Sequence, residues 1–442
     1  MAEKSKKAEK VISDITCSFC GALCDDLEVV VKDNKIIETR NACTISTVKL
    51  FACNNWEHRI TKPSERVNGE LKEIKLEQAI KKTAKILVDA ERPLLYGWAN
   101  TDNVAIGLGV ELAELVGGVF DNTATVCHGP SIIAEQDVGV STTTLGDIKS
   151  RADMVLFWGC NPMAAHPRHL ARYSIFPRGF FRDKGVKERE MIVIDPRNTD
   201  TAKLADQFIQ VEPGKDFELM SAIRAVLNGL ELKEAEVAGV PKEDIIELAE
   251  KLKKPSFGIL FFGLGLTMSS AKHRNIDIAI SLTRQLNKYT KWLIMPMRGH
   301  WNVTGANTVP TWNVGYPFCI DFSLGYPRYS PGEYSANDLL YKGECDAALV
   351  VASDPAGNFP KKAVKNLAKI PIITIDPHHT PTTELSQILI PAAVVGIETS
   401  GTGYRMDHVP LHLKKLIEPP EGNLPDAEIL RKIIEEVKKL QK

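Results

Sequence analysis

The chain has 442 residues, of which 44% are apolar and 25% charged, and its formal net charge is -1. This length suits about two or three compact units, and the composition is that of an ordinary globular protein. The near-neutral charge gives no basic surface for nucleic acid or an anionic membrane, and no run of about 18 apolar residues suggests a membrane span.

The N-terminal segment MAEKSKKAEK is rich in lysine and is not followed by the apolar core of a signal peptide. We therefore expect a disordered tail over residues 1–13 and neither a secretory nor a twin-arginine signal. The nine cysteines are an odd number, and several of them cluster near the N-terminus. This usage indicates a reducing compartment, which we expect to be the cytoplasm, and a metal site rather than a disulfide framework.

Four of these cysteines form the pattern Cys17-x2-Cys20-x3-Cys24, followed by Cys43. Four thiolates brought to one point are what a cubane iron–sulfur cluster requires. Structural zinc also takes four thiolates, but its ligands usually come as two closely spaced pairs, whereas here three crowd together and the fourth stands apart. The spacings run in the reverse order to those of radical-SAM enzymes, so the pattern does not indicate that class of enzyme. The pattern favours a cluster over zinc, with Cys53 as an alternative to Cys43.

The rest of the chain alternates between two kinds of segment. Two β-rich runs around Asp33-Asn34 first predict a hairpin over Asp26–Arg40. Short apolar runs then predict strands at 92–98, 152–159, 191–196, 257–263, 292–296, 347–353 and 371–377. Amphipathic patterns predict helices near 76–90, 102–116, 216–229, 242–253, 271–288 and 425–441. Continuous apolar strands that alternate with helices predict an α/β fold with mostly parallel sheets, in which ligands bind beyond the carboxyl ends of the strands.

The chain also resembles itself. IDPRNTDTAKLADQFI, from Ile194, and IDPHHTPTTELSQILI, from Ile375, share the pattern I-D-P-x-x-T-x-x-x-x-L directly after an apolar strand. Upstream of them, WGCNPMAAHPRH (158–169) and ASDPAGNFPKKA (352–363) each end a strand and carry two similarly spaced prolines. Chance similarity between two strand ends is one explanation. The other is a pair of related sites, one in each half, for a nucleotide-like group.

Two further motifs are candidates for chemistry. In Cys127-His128-Gly129-Pro130, the cysteine is either a small buried apolar residue or a thiolate ligand of a soft metal, next to an imidazole that can donate or relay a proton. Residues 296–305 follow a predicted strand and predict either a surface loop or a loop that lines a site, where Arg298 would suit a carboxylate or an oxyanion. Neither pair of neighbouring glycines, at 263 and 265 or at 401 and 403, completes a dinucleotide-binding motif, so nicotinamide and ATP have no motif support.

Together, the cysteine cluster, the repeated units and the Cys127-His128 pair resemble the bis-pterin molybdenum and tungsten oxidoreductases, which include formate dehydrogenases. Within this group the chain is similar to the catalytic, metal-pterin subunits of formylmethanofuran dehydrogenase from about residue 14 to its end. The segments that carry this similarity are CSFCGALCDD, NACTIS, YGWANTDN, DNTATVCHGPS, WGCNPMAAHPRH and MRGHWNVTGANTVPTW. The resemblance implies reversible reduction of CO2 to formate, for the formylation of methanofuran in methanogenesis from CO2.

The resemblance also implies the cofactors and their residues. A [4Fe–4S] cluster would be held by Cys17, Cys20, Cys24 and Cys43. Tungsten or molybdenum would be bound by two molybdopterin guanine dinucleotides, a terminal sulfide and the thiolate of Cys127, with His128 and Arg298 beside the reacting CO2 or formate. Each repeated unit would hold one dinucleotide, and the residues implied for this are Asn161, Asp195, Thr199, Asp354, Asp376 and Thr380.

The implied architecture is a small iron–sulfur domain and two pseudo-symmetric α/β domains. We expect the cluster domain at 14–62, the first pterin-binding domain at 63–140 and 331–442, and the second at 141–330. Formate dehydrogenases of this group continue into a C-terminal barrel domain that this chain lacks, so a small cap subunit is expected. The other expected partners are an amidohydrolase-type subunit and polyferredoxin subunits. The alternatives are a formate dehydrogenase-type subunit and a non-catalytic scaffold of a formyltransferase/hydrolase complex.

Overall fold

The computed structural model describes residues 9–55 and 59–442. The strands are β1 (Lys10–Ile15), β2 (Leu27–Lys32), β3 (Lys35–Arg40), β4 (Ser64–Val67), β5 (Glu70–Glu73), β6 (Pro93–Gly97), β7 (Val119–Asn122), β8 (Met154–Trp158), β9 (Glu190–Asp195), β10 (Gln207–Gln210), β11 (Glu236–Val237), β12 (Val240–Pro241), β13 (Phe257–Phe262), β14 (Lys291–Pro296), β15 (Ile320–Asp321), β16 (Arg328–Tyr329), β17 (Ala347–Val351), β18 (Ile372–Ile375), β19 (Ile388–Ile390), β20 (Gly401–Tyr404) and β21 (Pro410–Leu413). The helices are α1 (Thr44–Ala52), α2 (Leu76–Asp89), α3 (Asn103–Leu115), α4 (Gly129–Val138), α5 (Leu145–Arg151), α6 (Pro162–Ala165), α7 (Asp216–Leu227), α8 (Lys242–Lys251), α9 (Leu264–Thr267), α10 (His273–Leu286), α11 (Val303–Val314), α12 (Ala336–Lys342), α13 (Pro355–Asn358), α14 (Lys361–Leu367), α15 (Pro381–Leu385) and α16 (Asp426–Leu440). Within these described ranges, none of the helices is both long and apolar enough to span a bilayer.

The chain forms two compact units. The first comprises the described part of Met1–Val126 together with His300–Arg405 and Pro410–Lys442, and the second comprises Cys127–Gly299 and Met406–Val409. The chain leaves the first unit after Val126 and returns to it after Gly299, and these two main crossings come shortly after strands β7 and β14 end. The borders expected from the sequence, at 140/141 and 330/331, lie further along the chain than these crossings.

The cysteine-rich segment is framed by a small antiparallel sheet in the order β1-β2-β3. The hairpin predicted over Asp26–Arg40 is confirmed, and Asp33 and Asn34 both adopt positive φ at its turn, which Asp and Asn tolerate better than most residues. The predicted tail is wrong over residues 10–13, because β1 begins at Lys10 and pairs with β2. Residues 1–8 of that predicted tail lie outside the described residues.

The first unit is built around a nine-stranded sheet in the order β16-β15-β7-β6-β17-β18-β19-β4-β5. Its five central strands, from β7 to β19, are parallel, and the outer strands are antiparallel. Alternate side chains enter two apolar cores: Leu95 packs with α2, α3 and α16, whereas Leu94 and Tyr96 pack with α12 and α14. Both faces of the sheet are therefore covered, which explains why its strands are continuously apolar.

The second unit has a five-stranded, wholly parallel sheet in the order β10-β9-β8-β13-β14. The five parallel strands of the first unit have the matching spatial order β19-β18-β17-β6-β7. In the first unit the pair β6 and β7 comes before the other three strands along the chain, and in the second unit the matching pair β13 and β14 comes after them. The two sheets thus share one strand topology, with a permuted chain order.

All seven predicted parallel-sheet strands and all six predicted helices are present, within a few residues of their predicted bounds. One expectation is wrong in part: the loop predicted over residues 296–305 ends at Asn302, and α11 begins at Val303. Position 305, inside this helix, requires glycine, because a Cβ there would come 2.2 Å from the side-chain oxygen of Asn302. The glycine therefore reports close packing and not a loop.

Candidate functional site

The clustered cysteines lie on the loop between β1 and β2 and at the start of α1. The backbone N–H of Cys17 donates to the carbonyl of Cys24 at 2.8 Å, which closes the loop that also carries Cys20. Cys43 is the N-cap of α1, and its sulfur accepts from the backbone N–H of Ser46 at 3.4 Å. The thiol of Cys17 donates to the Ser46 hydroxyl, also at 3.4 Å, so Ser46 links the loop to the helix.

The four thiols lie close enough to one another to interact electrostatically. The pKa of Cys20 is raised to about 12, mainly by burial and also by the charges of Cys24 and Cys43, while Lys49 acts in the opposite direction. Burial also raises the pKa of Cys17, with smaller contributions from Cys20 and Cys24. All four are free thiols. Their mutual repulsion as thiolates is the cost that positively charged iron offsets, so these residues fit a cubane cluster.

Cys53 differs from this set. It lies at the end of α1, where its thiol donates to the carbonyl of Lys49 at 3.3 Å. Burial raises the pKa of Cys53 to about 11, and the neighbouring charges that act on it are those of Glu398 and Arg59. This environment favours Cys43 as the fourth ligand. No group of three or more Cys, His, Asp or Glu in the described ranges could hold a single metal ion.

His128 is a fully buried residue at the start of α4 in the second unit. Its Nε2 donates to the carbonyl of Met297 at 3.2 Å, because a carbonyl can only accept, and its Nδ1 lies 3.0 Å from the hydroxyl of Ser131, from which it accepts. Burial and, to a smaller extent, the charge of Arg298 together lower the pKa of His128 to about 3. The imidazole is therefore neutral, both of its nitrogens are engaged, and it holds the backbone just before Arg298.

Arg298 follows β14 and is only 2% exposed. Its guanidinium lies 3.4 Å from Nε2 of His408 and 3.8 Å from a carboxylate oxygen of Glu135. Its carbonyl accepts a hydrogen bond of 2.8 Å from Nε2 of His166, a second buried histidine. Burial lowers the pKa of His166, so this imidazole is also neutral. Two neutral imidazoles thus hold two successive carbonyls, those of Met297 and Arg298.

Cys127 directly follows the 3-10 turn Thr123–Val126 that leads away from β7. The pKa of its thiol is raised to about 11, because burial outweighs the opposing effects of the Arg298 charge and the backbone N–H groups of His128 and Gly299. These groups stabilise a negative charge at the sulfur, which is what a thiolate ligand of a metal requires. The structure therefore brings together the three residues predicted as catalytic, Cys127, His128 and Arg298. The sequence-based prediction missed His166, Glu135 and His408, for which residue type alone gave no signal.

The first repeated unit forms a hydrogen-bonded pair of loops after β8 and β9. A carboxylate oxygen of Asp195 accepts from the backbone N–H of Arg197 at 2.9 Å. The hydroxyl of Thr199 accepts from the N–H of Ala202, the first residue of a 3-10 turn, at 3.1 Å. The hydroxyl of Thr201 donates to the side-chain oxygen of Asn161 at 2.6 Å, which ties the two loops together.

The second repeated unit reproduces these contacts after β17 and β18. A carboxylate oxygen of Asp376 accepts from the N–H of His378 at 2.8 Å, and Thr380 caps α15. The hydroxyl of Thr382 donates to a carboxylate oxygen of Asp354 at 2.6 Å. The self-similarity in the sequence is therefore structural. It also gives Thr199, Thr380, Asn161 and Asp354 defined positions in the loops, and the second matching threonine, at 201 and 382, was a signal that the sequence-based pattern left out.

A cavity of about 500 Å³ lies in the first unit, at the carboxyl ends of β17 and β18. Its lining includes Asp376, one of the predicted dinucleotide ligands, and Lys49, which follows the cysteine cluster. The other main polar groups that line it are Ser18, Asn100, His300, His378 and Asp426. Burial raises the pKa of both Asp376 and Asp426 to about 7. The cavity is large enough for a nucleotide-sized ligand and presents carboxyl groups that can accept from donor groups on it.

The family model for molybdopterin oxidoreductases matches residues 59–436. The fold is that of acetylene hydratase from Pelobacter acetylenicus (TM-score 0.73, 14% identity, 97% of this chain and 69% of that one). It is also that of a chain in the formyltransferase/hydrolase complex from Methylorubrum extorquens, whose crystal structure contains methylofuran (TM-score 0.68, 20% identity, 86% of this chain and 99% of that one). The chain therefore belongs to the molybdopterin oxidoreductase family.

Within that family its relatives include the B subunits of tungsten-containing formylmethanofuran dehydrogenases. The one from the tungsten-containing formylmethanofuran dehydrogenase 2 of Methanocaldococcus jannaschii is 57% identical over 98% of this chain and 99% of its own length. Its namesake from Methanococcus maripaludis is 51% identical over 98% of this chain and 100% of its own length. The alpha subunit of F420-dependent formate dehydrogenase 2 of Methanococcus maripaludis is 26% identical, and this chain covers 70% of it. The chain belongs with these formylmethanofuran dehydrogenase subunits.

Proposed function

We propose that this chain is the catalytic redox subunit of a formylmethanofuran dehydrogenase, which reversibly reduces CO2 to formate for the formylation of methanofuran. The observation that carries the proposal is full-length identity of 57% to such a subunit. In this chain the buried residues His128 and Arg298 and the half-buried Cys127 lie around one point of the second unit. A formate dehydrogenase-type subunit is the second candidate, at 26% identity.

We propose a [4Fe–4S] cluster on Cys17, Cys20, Cys24 and Cys43. Support comes from the closed loop, the link through Ser46 and the mutual electrostatic effects of the four thiols. Each thiolate of a cubane binds a different iron atom, so the sulfurs surround the cluster instead of converging on one ion. The free state of all nine cysteines suits a reducing compartment, and we propose the cytoplasm.

We propose that Cys127 supplies the protein thiolate to tungsten or molybdenum, which, when bound with its two pterins, supplies the two-electron chemistry of the reaction. Both relatives above 50% identity are named as tungsten-containing, which favours tungsten. Arg298 binds the carboxylate of formate and the developing negative charge on CO2, because a buried guanidinium donates two parallel hydrogen bonds to such a group. Neutral His128 positions Arg298 through the carbonyl of Met297.

We propose one molybdopterin guanine dinucleotide for each repeated unit. The carboxylates of Asp195 and Asp376 occupy matching positions after β9 and β18, where they can accept from guanine or ribose donors. Asn161 and Asp354, with Thr199 and Thr380, shape the loops around these carboxylates through the contacts described above. For these four residues we therefore propose a positioning role beside any direct contact with the dinucleotide.

We propose that a separate small subunit caps the pterin site. In support, this chain covers 99% and 100% of the two formylmethanofuran dehydrogenase relatives but only 70% of the formate dehydrogenase subunit. An amidohydrolase-type subunit that joins formate to methanofuran and polyferredoxin subunits that deliver electrons complete the proposed assembly. A non-catalytic scaffold would not need the cluster cysteines or Cys127, all of which this chain has.

The test is the metal and nucleotide content of the anaerobically purified native complex, with Cys127→Ala and a matched control, Cys345→Ala. Cys345 is also a free thiol and is buried, but it lies in the first unit next to β17. We expect tungsten or molybdenum and guanine nucleotide in the wild type and the control, and loss of activity only in Cys127→Ala. Active wild-type complex without either metal, or an active Cys127→Ala variant, would contradict the proposal.

A further inference from the structure

A tight turn in the second unit presents two phenylalanines to solvent. Gly179 and Arg182 exchange backbone hydrogen bonds of 3.0 and 3.2 Å, which leaves Phe180 and Phe181 at the tip. Phe180 is 85% exposed and Phe181 is 50% exposed, and their rings meet edge to face at 4.8 Å. Phe176, at the start of the same segment, is 47% exposed. Adjacent exposed aromatic side chains of this kind mark interaction sites more often than single exposed apolar residues do.

The turn is held by hydrogen bonds and close packing against the end of α5 and the residues that follow it. The N–H of Phe181 donates to the carbonyl of Ser150 at 3.0 Å. The guanidinium of Arg182 donates to the carbonyl of Arg151 and to the carboxylate of Asp153, both at 3.0 Å. A Cβ at Gly179 would come 2.0 Å from the carbonyl oxygen of Lys149, so the turn packs directly on the last residues of α5.

The guanidinium of Arg151 also lies over the ring of Phe181, 4.3 Å from its centroid. The ring of Phe181 therefore packs under the guanidinium of Arg151, and the ring of Phe180 projects from it into solvent. A ring that is rigid before binding loses little conformational entropy when a partner covers it, and buried aromatic anchors of this kind carry much of the free energy of an interface. These contacts give the turn the geometry of a binding anchor. A mobile loop tip would not need them.

The charge around the tip selects the partner. The charged residues of segment 176–188 are basic at Arg178, Arg182, Lys184 and Lys187 and acidic at Asp183 and Glu188, in a chain of net charge -1. Arg178, Lys184 and Lys187 are exposed, as is Asp183, so the exposed charge of the segment is positive on balance. A second copy of this chain, related by a two-fold axis, would bring two such basic segments together, which is unfavourable. Three exposed basic residues are also few for stable attachment to an anionic membrane.

We propose that the Phe180-Phe181 turn is the docking anchor for another protein subunit, one that offers an apolar pocket edged by Asp and Glu side chains. Phe180 enters the pocket, and Lys184 and Lys187 pair with its acidic edge. This proposal does not depend on the redox chemistry, because the turn contains none of the residues assigned to the metal, cluster or dinucleotide sites.

The first test is zero-length carbodiimide crosslinking of the native complex, which joins a lysine amine to a carboxylate only where they are in contact. We expect a peptide containing Lys184 or Lys187 joined to Asp or Glu of a different subunit. Crosslinks that reach only this chain or a second copy of it, or no crosslink at these lysines, would overturn the proposal.

The second test compares Phe180→Ser/Phe181→Ser with Leu230→Ser, which removes an apolar side chain that is 63% exposed elsewhere in the same unit. Native mass spectrometry of each complex over increasing salt should show one partner subunit dissociating at lower salt only in the double variant, with its affinity reduced about tenfold or more. Unchanged composition in the double variant, or loss of binding to anionic lipid vesicles in place of a subunit, would refute it. Formate oxidation with an artificial electron acceptor should stay at the wild-type rate, which separates this outcome from failure of the proposed function.

Discussion

The clearest consequence of the site geometry concerns His166, whose imidazole donates to the carbonyl of Arg298 at 2.8 Å. In His166→Leu this buried carbonyl loses its donor, which costs about 1–3 kcal/mol of unfolding free energy. In a unit of this size the loss corresponds to a fall in the melting temperature of about 2–4 °C per kcal/mol. Because the same bond fixes the backbone that carries the guanidinium, a displacement of about 1 Å would lower turnover about 100-fold.

His169→Leu is the matched control. His169 is also fully buried, but its Nδ1 pairs with the hydroxyl of Ser174 at 3.1 Å and it makes no hydrogen bond to the Arg298 loop. Only His166→Leu should lose turnover of formate with tungsten and iron contents unchanged. The assay is steady-state formate oxidation with an artificial electron acceptor, with metal analysis of the same samples. Equal turnover in the two variants would refute the positioning role of His166.

Three further predictions follow from buried charges. Burial raises the pKa of Asp121 to about 6. The contribution of this carboxyl group to stability is therefore complete below about pH 4 and is lost as the pH rises through about 6. This change, about 3 kcal/mol, should be absent from melting curves of Asp121→Asn. Arg59 and Glu398 form a buried ion pair of 2.6 Å, so Arg59→Leu should cost about 3–5 kcal/mol in thermal unfolding, and adding Glu398→Leu should restore part of it; a further loss in the double variant would contradict this. Asp195→Asn and Asp376→Asn should each lower the guanine nucleotide released on acid extraction by about half, if each repeated unit holds one dinucleotide; equal content in both variants and the wild type would argue against these carboxylates.

The sequence predicted the strands and longer helices well because each carries a local signal. Strands of a sheet covered on both faces are continuous apolar runs, and α16 shows buried side chains at helical spacing. Elements without such signals were missed. Strand β1 is mostly exposed, and α4 begins with Gly129 and Pro130, which are typical of a turn although proline is also favoured in the first turn of a helix.

Only those residues of the site that stand in recognisable sequence motifs could be predicted. Cys127, His128 and Arg298 stand in distinctive segments, so their types and positions could be named in advance. Their chemical states could not, because the low pKa of His128 comes from burial and from the charge of Arg298, which is distant in sequence. Glu135 reaches Arg298 only through the packing of the second unit. Long-range contacts of this kind leave no periodicity in the sequence.

The central claim is that Arg298 and Cys127 serve a metal centre that reduces CO2. The most direct measurement supplies labelled CO2 and a low-potential electron donor to the anaerobically purified complex and follows labelled formylmethanofuran, in the wild type and in Arg298→Met. We expect labelled product from the wild type and none from Arg298→Met, with equal tungsten or molybdenum contents in the two proteins. A wild-type rate in Arg298→Met would contradict it.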